Sequence, residues 1–355
     1  MKTYPQTIFV TGCAGFIASR VVRFLLDDGH EVVGIDNMND YYDVSLKQHR
    51  LEQLQSSDRF TFYHEDIEDR EALKKIFDAH AFDSVVNLAA RAGVRFSMVN
   101  PTVYMTTNAM GNLFLLEEMR ERGIKKYVLA STSSLYAGQK MPFVETLAVN
   151  TPTSAYAVSK KSAEAMAYSH HLLYGIDVSV LRYFTVYGPA GRPDMAVFRF
   201  IKWTAAGTPI QLFGDGTQSR DFTFVDDIAR GTIAAIKPLG YEIINLGGGN
   251  EPVSLNAVIQ KIETLLGKKA SIVNHPFHKA DFRTTWADIS KADRLLDWRP
   301  TVSLDEGLAQ CVQWHKQYLP LEVQVDRCRP KLVPNALGAE GWPIAHRSGI
   351  EASST

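Results

Sequence analysis

A phenol and an ammonium stand four residues apart in Tyr156-Ala157-Val158-Ser159-Lys160. On a helix that spacing puts both groups on one face, one turn apart. An unperturbed tyrosine titrates near ~10, too high for a base at neutral pH. A neighbouring ammonium favours the phenolate and lowers that value. The pair is therefore a candidate general base that takes a proton from a substrate hydroxyl. Upstream, Ser131-Thr132-Ser133-Ser134 closes an apolar run and supplies hydroxyls that can hold a substrate oxygen.

These groups need elements to position them. Short β-branched runs at Thr7–Thr11, Glu31–Asp36, Phe60–His64, Ser84–Leu88, Lys126–Ser131, Asp177–Arg182 and Glu242–Leu246 read as strands. Amphipathic stretches at Phe16–Asp28, Arg70–Ala79, Ala109–Arg122 and Ser154–Tyr174 read as helices between them. Gly29, Gly123 and Gly175 each follow a helix, where a left-handed cap is wanted. Alternation of this kind predicts an α/β fold, a Rossmann-type doubly wound parallel sheet with helices on both faces. After Arg182 the pattern loosens, and Gly, Pro and aromatic residues crowd Tyr183–Phe222. A strand and helix return from Thr223 to about Gly249, and further helices are expected at Asn256–Leu266 and Leu304–Tyr318. The 355 residues suffice for two domains. The expected division is 1–182 with 223–249 as a dinucleotide-binding domain, and 183–222 with 250–320 as a smaller, discontinuous substrate domain. Residues 321–355 read as an irregular tail.

The stretch Thr11-Gly12-Cys13-Ala14-Gly15-Phe16-Ile17-Ala18-Ser19 joins the first strand to the first helix. Small residues there allow a tight turn and close approach of backbone to a pyrophosphate, which the helix N-terminus then attracts. The spacing is Gly-x-x-Gly-x-x-Ala rather than Gly-x-Gly-x-x-Gly, and a plain turn is the alternative. Asp36 ends the second strand. A carboxylate there accepts hydrogen bonds from adenosine ribose hydroxyls and repels a 2′-phosphate, which favours NAD over NADP. With Asn37 beside it, a strand-end turn is the alternative. Asp66-Ile67 can flank the adenine, or Asp66 can cap a helix. Leu88-Ala89-Ala90 ends the fourth strand with small residues, where a cofactor could lie close. The cationic nicotinamide ring of such a cofactor would add to Lys160 in favouring the Tyr156 phenolate.

Bulk properties narrow the partners. Hydrophobic residues make up 45% and charged residues 22%, an ordinary globular balance. The net charge of −1 leaves no bulk field for nucleic acid or an anionic membrane, so local arginines and lysines must hold any anionic ligand. No apolar run is long enough to span a bilayer. Met1–Gln6 runs straight into a candidate strand, so no signal peptide is expected. Cys13, Cys311 and Cys328 form no pair motif and read as reduced thiols of a cytoplasmic protein.

Together these residues resemble the extended short-chain dehydrogenase/reductases over about residues 7–318, and within them the UDP-glucuronate 4-epimerases. Four stretches carry the closer likeness: Asp36-Asn37-Met38-Asn39-Asp40-Tyr41-Tyr42-Asp43, Ala92-Gly93-Val94-Arg95, Phe184-Thr185-Val186-Tyr187-Gly188-Pro189 and Gly191-Arg192-Pro193-Asp194-Met195-Ala196. The resemblance implies seven parallel strands, tightly held NAD and a homodimer. It implies Thr132, Tyr156 and Lys160 as the catalytic trio. It adds Asn108, Tyr183 and the same Tyr156 and Lys160 to Gly12, Gly15, Phe16, Ile17, Asp36, Asn37, Asp66, Ile67, Leu88, Ala89 and Ala90 around the cofactor. It places Arg192, Thr185 and Ser133 or Ser134 at the sugar carboxylate, and Arg95 among the substrate-binding residues. It places Arg220 and Arg283 at the UDP phosphates, with Phe198 and Gln211 near the uridine. Arg91 stands where many relatives carry glutamine, and Ala137 where glycine is usual.

The reaction so implied removes the sugar's 4-hydroxyl proton and a hydride, then returns hydride to the other face, with no metal and no net redox change. From glucuronate the 4-keto intermediate is a β-keto acid, which loses carbon dioxide when its carboxylate aligns with the ketone. A planar arginine fork can hold the carboxylate out of that alignment. A structural surface arginine is the other reading of Arg192. Decarboxylating relatives resemble Thr-Ser-Glu-Val-Tyr where this chain has Thr132-Ser133-Ser134-Leu135-Tyr136, and dehydrating relatives carry Asp-Glu after the threonine. Both departures favour plain epimerisation. The rivals are a 4-epimerase for UDP-glucose or a UDP-N-acetylhexosamine, a UDP-glucuronate decarboxylase, and a non-catalytic NAD-binding regulator. An unpaired arginine beside a neutral hydroxymethyl group argues against the first.

Overall fold

The structure, a computed structural model, describes residues 5–277 and 282–318. Cys328 and the expected tail at 321–355 lie outside the described residues. Seven strands form one parallel sheet: β1 (Thr7–Thr11), β2 (Glu31–Ile35), β3 (Phe60–Tyr63), β4 (Ser84–Asn87), β5 (Lys126–Thr132), β6 (Asp177–Tyr183) and β7 (Tyr241–Leu246). Their order is β7-β6-β5-β4-β1-β2-β3, and every pairing in the sheet is parallel. The chain reverses direction across the sheet between β1 and β4. That switch point opens a crevice at the carboxyl ends of the strands.

The strands are apolar on both faces because both faces are covered. Ile8 and Val10 of β1, with Val32 and Val86, face the helices Phe16–Asp27 and Val225–Ala234 through Val21, Leu25 and Ile228. Phe9, Val33 and Val85 face the opposite layer with Leu73, Leu115 and Ala163. These come from the helices Arg70–Ala79, Asn112–Arg122 and Ala155–Tyr174. A separate apolar cluster gathers Phe200, Leu212, Val258, Ile262 and Leu308, drawn largely from the helices Ala196–Ala206, Leu255–Leu266 and Leu304–Tyr318.

The expected strands are found within a residue at either end. Three end a residue early, leaving Asp36, His64 and Leu88 just past β2, β3 and β4, while β5 runs on to Thr132 and β6 to Tyr183. The helix expected over Ala109–Arg122 is preceded by a π-helical turn, Met105–Gly111, of the kind common at functional sites. Two helices that bear on the site are among those not expected. Ala196–Ala206 buries Val197, Phe200, Ile201 and Thr204, a proper helical spacing inside a stretch crowded with Gly and Pro. Val44–Leu54 shows no apolar stripe because it buries Lys47 and Arg50 beside Leu46, Leu51 and Leu54.

Candidate active site

A cavity of about 1190 Å³ opens on the loops that follow β1, β2, β4, β5 and β6. At one end lies the Gly12–Gly15 turn. Gly12 holds φ +69°, and a Cβ there would sit 2.8 Å from Ala89 Cα, so only glycine lets the β1 and β4 loops meet. The helix Phe16–Asp27 starts at this turn with no side-chain cap, leaving its N-terminal amides for a ligand anion. Asp36 lines the same space. Its Oδ2 accepts from Ala14 N (3.2 Å) and its Oδ1 from Met38 N (2.8 Å), so it serves the turn as well as facing the cavity. Asp66 likewise does both: its Oδ1 accepts from Glu68 N (3.0 Å) and its Oδ2 from Asn37 Nδ2 (2.6 Å). An uncapped helix start, a glycine turn without room for a side chain and a strand-end carboxylate on one cavity fit a dinucleotide.

The candidate base sits deeper. Ser154 caps the helix Ala155–Tyr174 through Ala157 N (3.2 Å), which sets Tyr156 in its first turn and Lys160 one turn on. Thr132 hydrogen-bonds Tyr156 and accepts from Ser134 N (3.1 Å). Desolvation pushes the Tyr156 hydroxyl above the ordinary tyrosine value, while the Thr132 bond and the charge of Arg192 pull it down. The ligand-free protein therefore does not carry the lowered phenol expected from the motif; desolvation outweighs the nearby positive charge. Lys160 Nζ donates to the Ala130 carbonyl at 2.8 Å. Burial pushes its ammonium down to about 8, against the pull of Glu164.

That value has a measurable sign. The folded pKa lies below the ordinary 10.5, so between about 8 and 10.5 the unfolded chain binds more protons and stability rises with pH. Lys160→Met should therefore be more stable than wild type near neutral pH, and the gap should close towards pH 10. Urea unfolding of both across that range tests this; parallel curves would contradict it.

Arg192 lines the cavity, but its fork is already held. Nε bonds Asp194 Oδ1 at 3.0 Å and Nη2 bonds Oδ2 at 2.6 Å, with Nη2 also 3.4 Å from the Ala92 carbonyl. Asp194 holds the guanidinium's proton affinity well above its usual value, against desolvation. Tyr41 lies 5.8 Å from the guanidinium carbon, ring centre to carbon. The argument that an unpaired arginine excludes a neutral sugar is thus corrected, because Asp194 pairs it.

The cavity wall brings together Gly12, Gly15, Phe16, Ile17, Asp36, Asn37, Asp66, Ile67, Leu88, Ala89, Ala90, Thr132, Tyr156, Lys160 and Tyr183. Arg95, Ser133, Ser134, Thr185, Arg192, Gln211 and Arg220 line it as well, as does Arg91. Arg95 stacks on Phe213, and Gln211 bonds His275 at 2.7 Å. Three expected residues lie elsewhere. Asn108 is turned away to clamp the Arg91 backbone (2.8 and 2.9 Å) and Ser159 (2.9 Å), so it supports the wall without forming it. Phe198 packs with Tyr41, Tyr42, Leu46 and Trp314, an apolar pocket that offers it more contact than the cavity does. The Arg283 guanidinium lies over Phe277, while its carbonyl accepts from Ser219 N (2.9 Å).

Sequence reasoning missed Lys47 and Arg50. Lys47 Nζ reaches Asp36 Oδ1 at 3.3 Å in the cavity wall. Arg50 ties Ala14 of the glycine turn (3.1 Å) to Ala190 (2.6 Å), two residues before Arg192. Both sit one turn apart on the unexpected helix Val44–Leu54; the signal was a buried cation pair, which reads in sequence as a solvated face.

The chain matches the model of the NAD dependent epimerase/dehydratase family over residues 8–247. It is 59% identical to the UDP-glucuronate 4-epimerase of Thermodesulfobacterium geofontis over 312 residues, covering 88% of this chain and 97% of that protein. Among solved structures it is similar to UDP-glucuronic acid 4-epimerase from Bacillus cereus in complex with UDP-glucuronic acid and NAD. The TM-score is 0.83 at 40% identity, over 88% of this chain and 99% of that one. UDP-glucose 4-epimerase from Thermotoga maritima, solved with UDP-glucose, is similar at TM-score 0.80 and 33% identity, over 88% and 99%. This chain belongs to the NAD dependent epimerase/dehydratase family.

Proposed function

We propose that the chain is a UDP-glucuronate 4-epimerase, interconverting UDP-glucuronate and UDP-galacturonate without losing the carboxylate. One observation carries the reading: Thr132, Tyr156 and Lys160 share a cavity wall with Arg192, Thr185, Ser133 and Ser134, and no carboxylate stands beside Thr132 in its own turn. Identity of 59% to a UDP-glucuronate 4-epimerase supports the choice of substrate.

NAD, when bound, would supply a reversible hydride acceptor and a positive charge that favours the phenolate. The glycine turn, the uncapped helix and Asp36 would hold it. Tyr156 takes the proton of the 4-hydroxyl and gives it back to the inverted oxygen. Thr132 aligns that oxygen with the phenol, and Lys160 favours the phenolate. Arg192 receives the sugar carboxylate through the donors that Asp194 leaves, with Thr185, Ser133 and Ser134 completing the shell. Neutral hydroxyls at 133 and 134 neither repel the carboxylate nor offer an acid and base to eliminate water.

We assign 1–182 and 223–249 to the NAD-binding domain and 183–222 and 250–320 to the sugar-nucleotide domain, which the separate cluster around Phe200 and Val258 supports. The chain is proposed to act as a homodimer. The packed helices Val94–Val99 and Ala155–Tyr174 leave Met98, Val99, Val158, Leu172 and Leu173 exposed, as an apolar mating face requires. Buried free Cys13 and Cys311 support a cytoplasmic location. No described helix is long and apolar enough to cross a membrane.

The test is to incubate the purified protein with UDP-glucuronate, with and without added NAD, and separate the products by chromatography and mass. An equal-mass isomer with no UDP-pentose is expected. A UDP-pentose would overturn the role given to the serines; no turnover, together with activity on UDP-glucose, would overturn the substrate.

A further inference from the structure

Three successive residues of β5 meet three successive turns of the helix Ala155–Tyr174. Thr132 hydrogen-bonds Tyr156. The Ala130 carbonyl accepts from Lys160 Nζ. Ser131 Oγ donates to Glu164 Oε1 at 2.6 Å. The third contact has no part in the chemistry above, yet it is the most elaborately built. Arg182 Nε and Nη2 donate to the two oxygens of Glu164 at 2.9 and 2.8 Å, and each side chain is 1% exposed. Arg182 Nη1 donates to the Tyr136 hydroxyl (2.9 Å), which donates to Asn245 Oδ1 (2.7 Å).

Stability does not account for this pair. Removing two charges from water is costly, and apolar residues of the same volume often serve the fold as well. Position does account for it. A bidentate fork tolerates little rotation or slide. Here it spans the helix and β6, and Ser131 adds β5. Glu164 therefore fixes the height of the helix against the strand that carries Thr132. It also places a negative charge one turn beyond Lys160.

We propose that Glu164 is a positioning residue for the candidate trio: it sets the register of Tyr156 and Lys160 against β5 and places a carboxylate one turn beyond the Lys160 ammonium. The assignment rests on the catalytic reading of Tyr156 and Lys160. The carboxylate raises the proton affinity of Lys160 against its burial. Other ionisable groups on this part of the cavity are Tyr156 on the same helix, Tyr183 on β6 and the Arg192–Asp194 pair, whose charges offset each other. Arg182 on β6 and Lys161 on the same helix, at 2.8 and 3.8 Å, face Glu164 itself.

The test uses Glu164→Leu combined with Arg182→Met, which leaves neither member of the buried pair alone; Lys161, 3.8 Å from Glu164 Oε2, keeps 36% of its side chain in solvent. We expect kcat to fall about 10- to 100-fold, the scale of a small misplacement of a reacting group, with KM within about twofold. The alkaline limb of the rate should move down by about one pH unit. The Lys160 ammonium, followed by NMR in ligand-free protein and assigned with Lys160→Arg, should titrate lower by a similar amount. A folded double variant with wild-type kcat and Lys160 titration overturns the proposal. If that variant does not fold, Ser131→Ala decides, because it leaves the ion pair intact. A reduced kcat at unchanged KM supports the proposal, and wild-type kcat overturns it. Failure of the wild type on UDP-glucuronate would instead strike the functional reading, and the ligand-free titration would still decide this one.

Discussion

Replacing Tyr156 by phenylalanine is expected to lower turnover of UDP-glucuronate by about 10²- to 10⁴-fold, the range for losing a positioned acid–base group. The fold should survive. The ring keeps its edge contact with Tyr104, 6.0 Å between centres, and the helix keeps its Ser154 cap. Thr132 still accepts from Ser134 N, so the lost bond leaves little buried polarity unpaired. NAD should stay bound, because the Gly12 turn, the start of the helix Phe16–Asp27 and Asp36 hold most of it and lie apart from the lost hydroxyl. Steady-state rates and the cofactor released on denaturation check both halves. Turnover comparable to wild type would end the mechanism; loss of NAD as well would mean that Tyr156 is a binding group first and a base second.

The parts of this site that were legible in the sequence are those set by backbone and period. Seven strand runs stood out because each is short, rich in apolar residues and set off by helical or loop-forming stretches, and the sheet pairs all of them. Gly12, Asp36 and the Leu88-Ala89-Ala90 run were legible because they follow β1, β2 and β4, whose ends must meet at the switch point. What stayed hidden depends on side chains turning towards partners far away in sequence. Phe198 looks like a ring for a uridine, but Trp314 and Leu46, brought in by two other helices, claim it. Asn108 lies among cofactor residues in sequence, but the π-helical turn directs its amide to the Arg91 backbone. Lys47 and Arg50 read as solvent-facing charges, and no local pattern shows that Asp36 and the carbonyls of Ala14 and Ala190 await them. The Glu164–Arg182 pair joins residues on one helix and the next strand, yet each alone looks like a surface charge. Pairing across the fold is a tertiary fact, and single-chain periodicity does not carry it.

Arg192→Met is the second large change expected. If Arg192 holds the sugar carboxylate, its loss removes charge-assisted bonds of about 1.5–3 kcal/mol, so kcat/KM for UDP-glucuronate should fall about 10- to 100-fold. The products should change too. A 4-keto acid no longer held out of alignment loses carbon dioxide, and a UDP-pentose should accompany the epimer. The pairing with Asp194 complicates a simple reading, since Arg192→Met also strands that carboxylate, 14% exposed, beside the cavity. Repulsion between Asp194 and the substrate would then add to the loss. Combining Arg192→Met with Asp194→Asn removes the repulsion and isolates the contribution of the fork. The neutral-sugar rival makes the opposite forecast. For UDP-glucose the Arg192–Asp194 pair would stay closed and serve only the loop, so activity on a neutral sugar should scarcely respond to the double change. A double variant that keeps its rate on UDP-glucuronate and forms no pentose would show that Thr185, Ser133 and Ser134 hold the carboxylate without the arginine. A pentose from both the single and the double variant, absent from wild type, would place protection of the carboxylate on Arg192 itself.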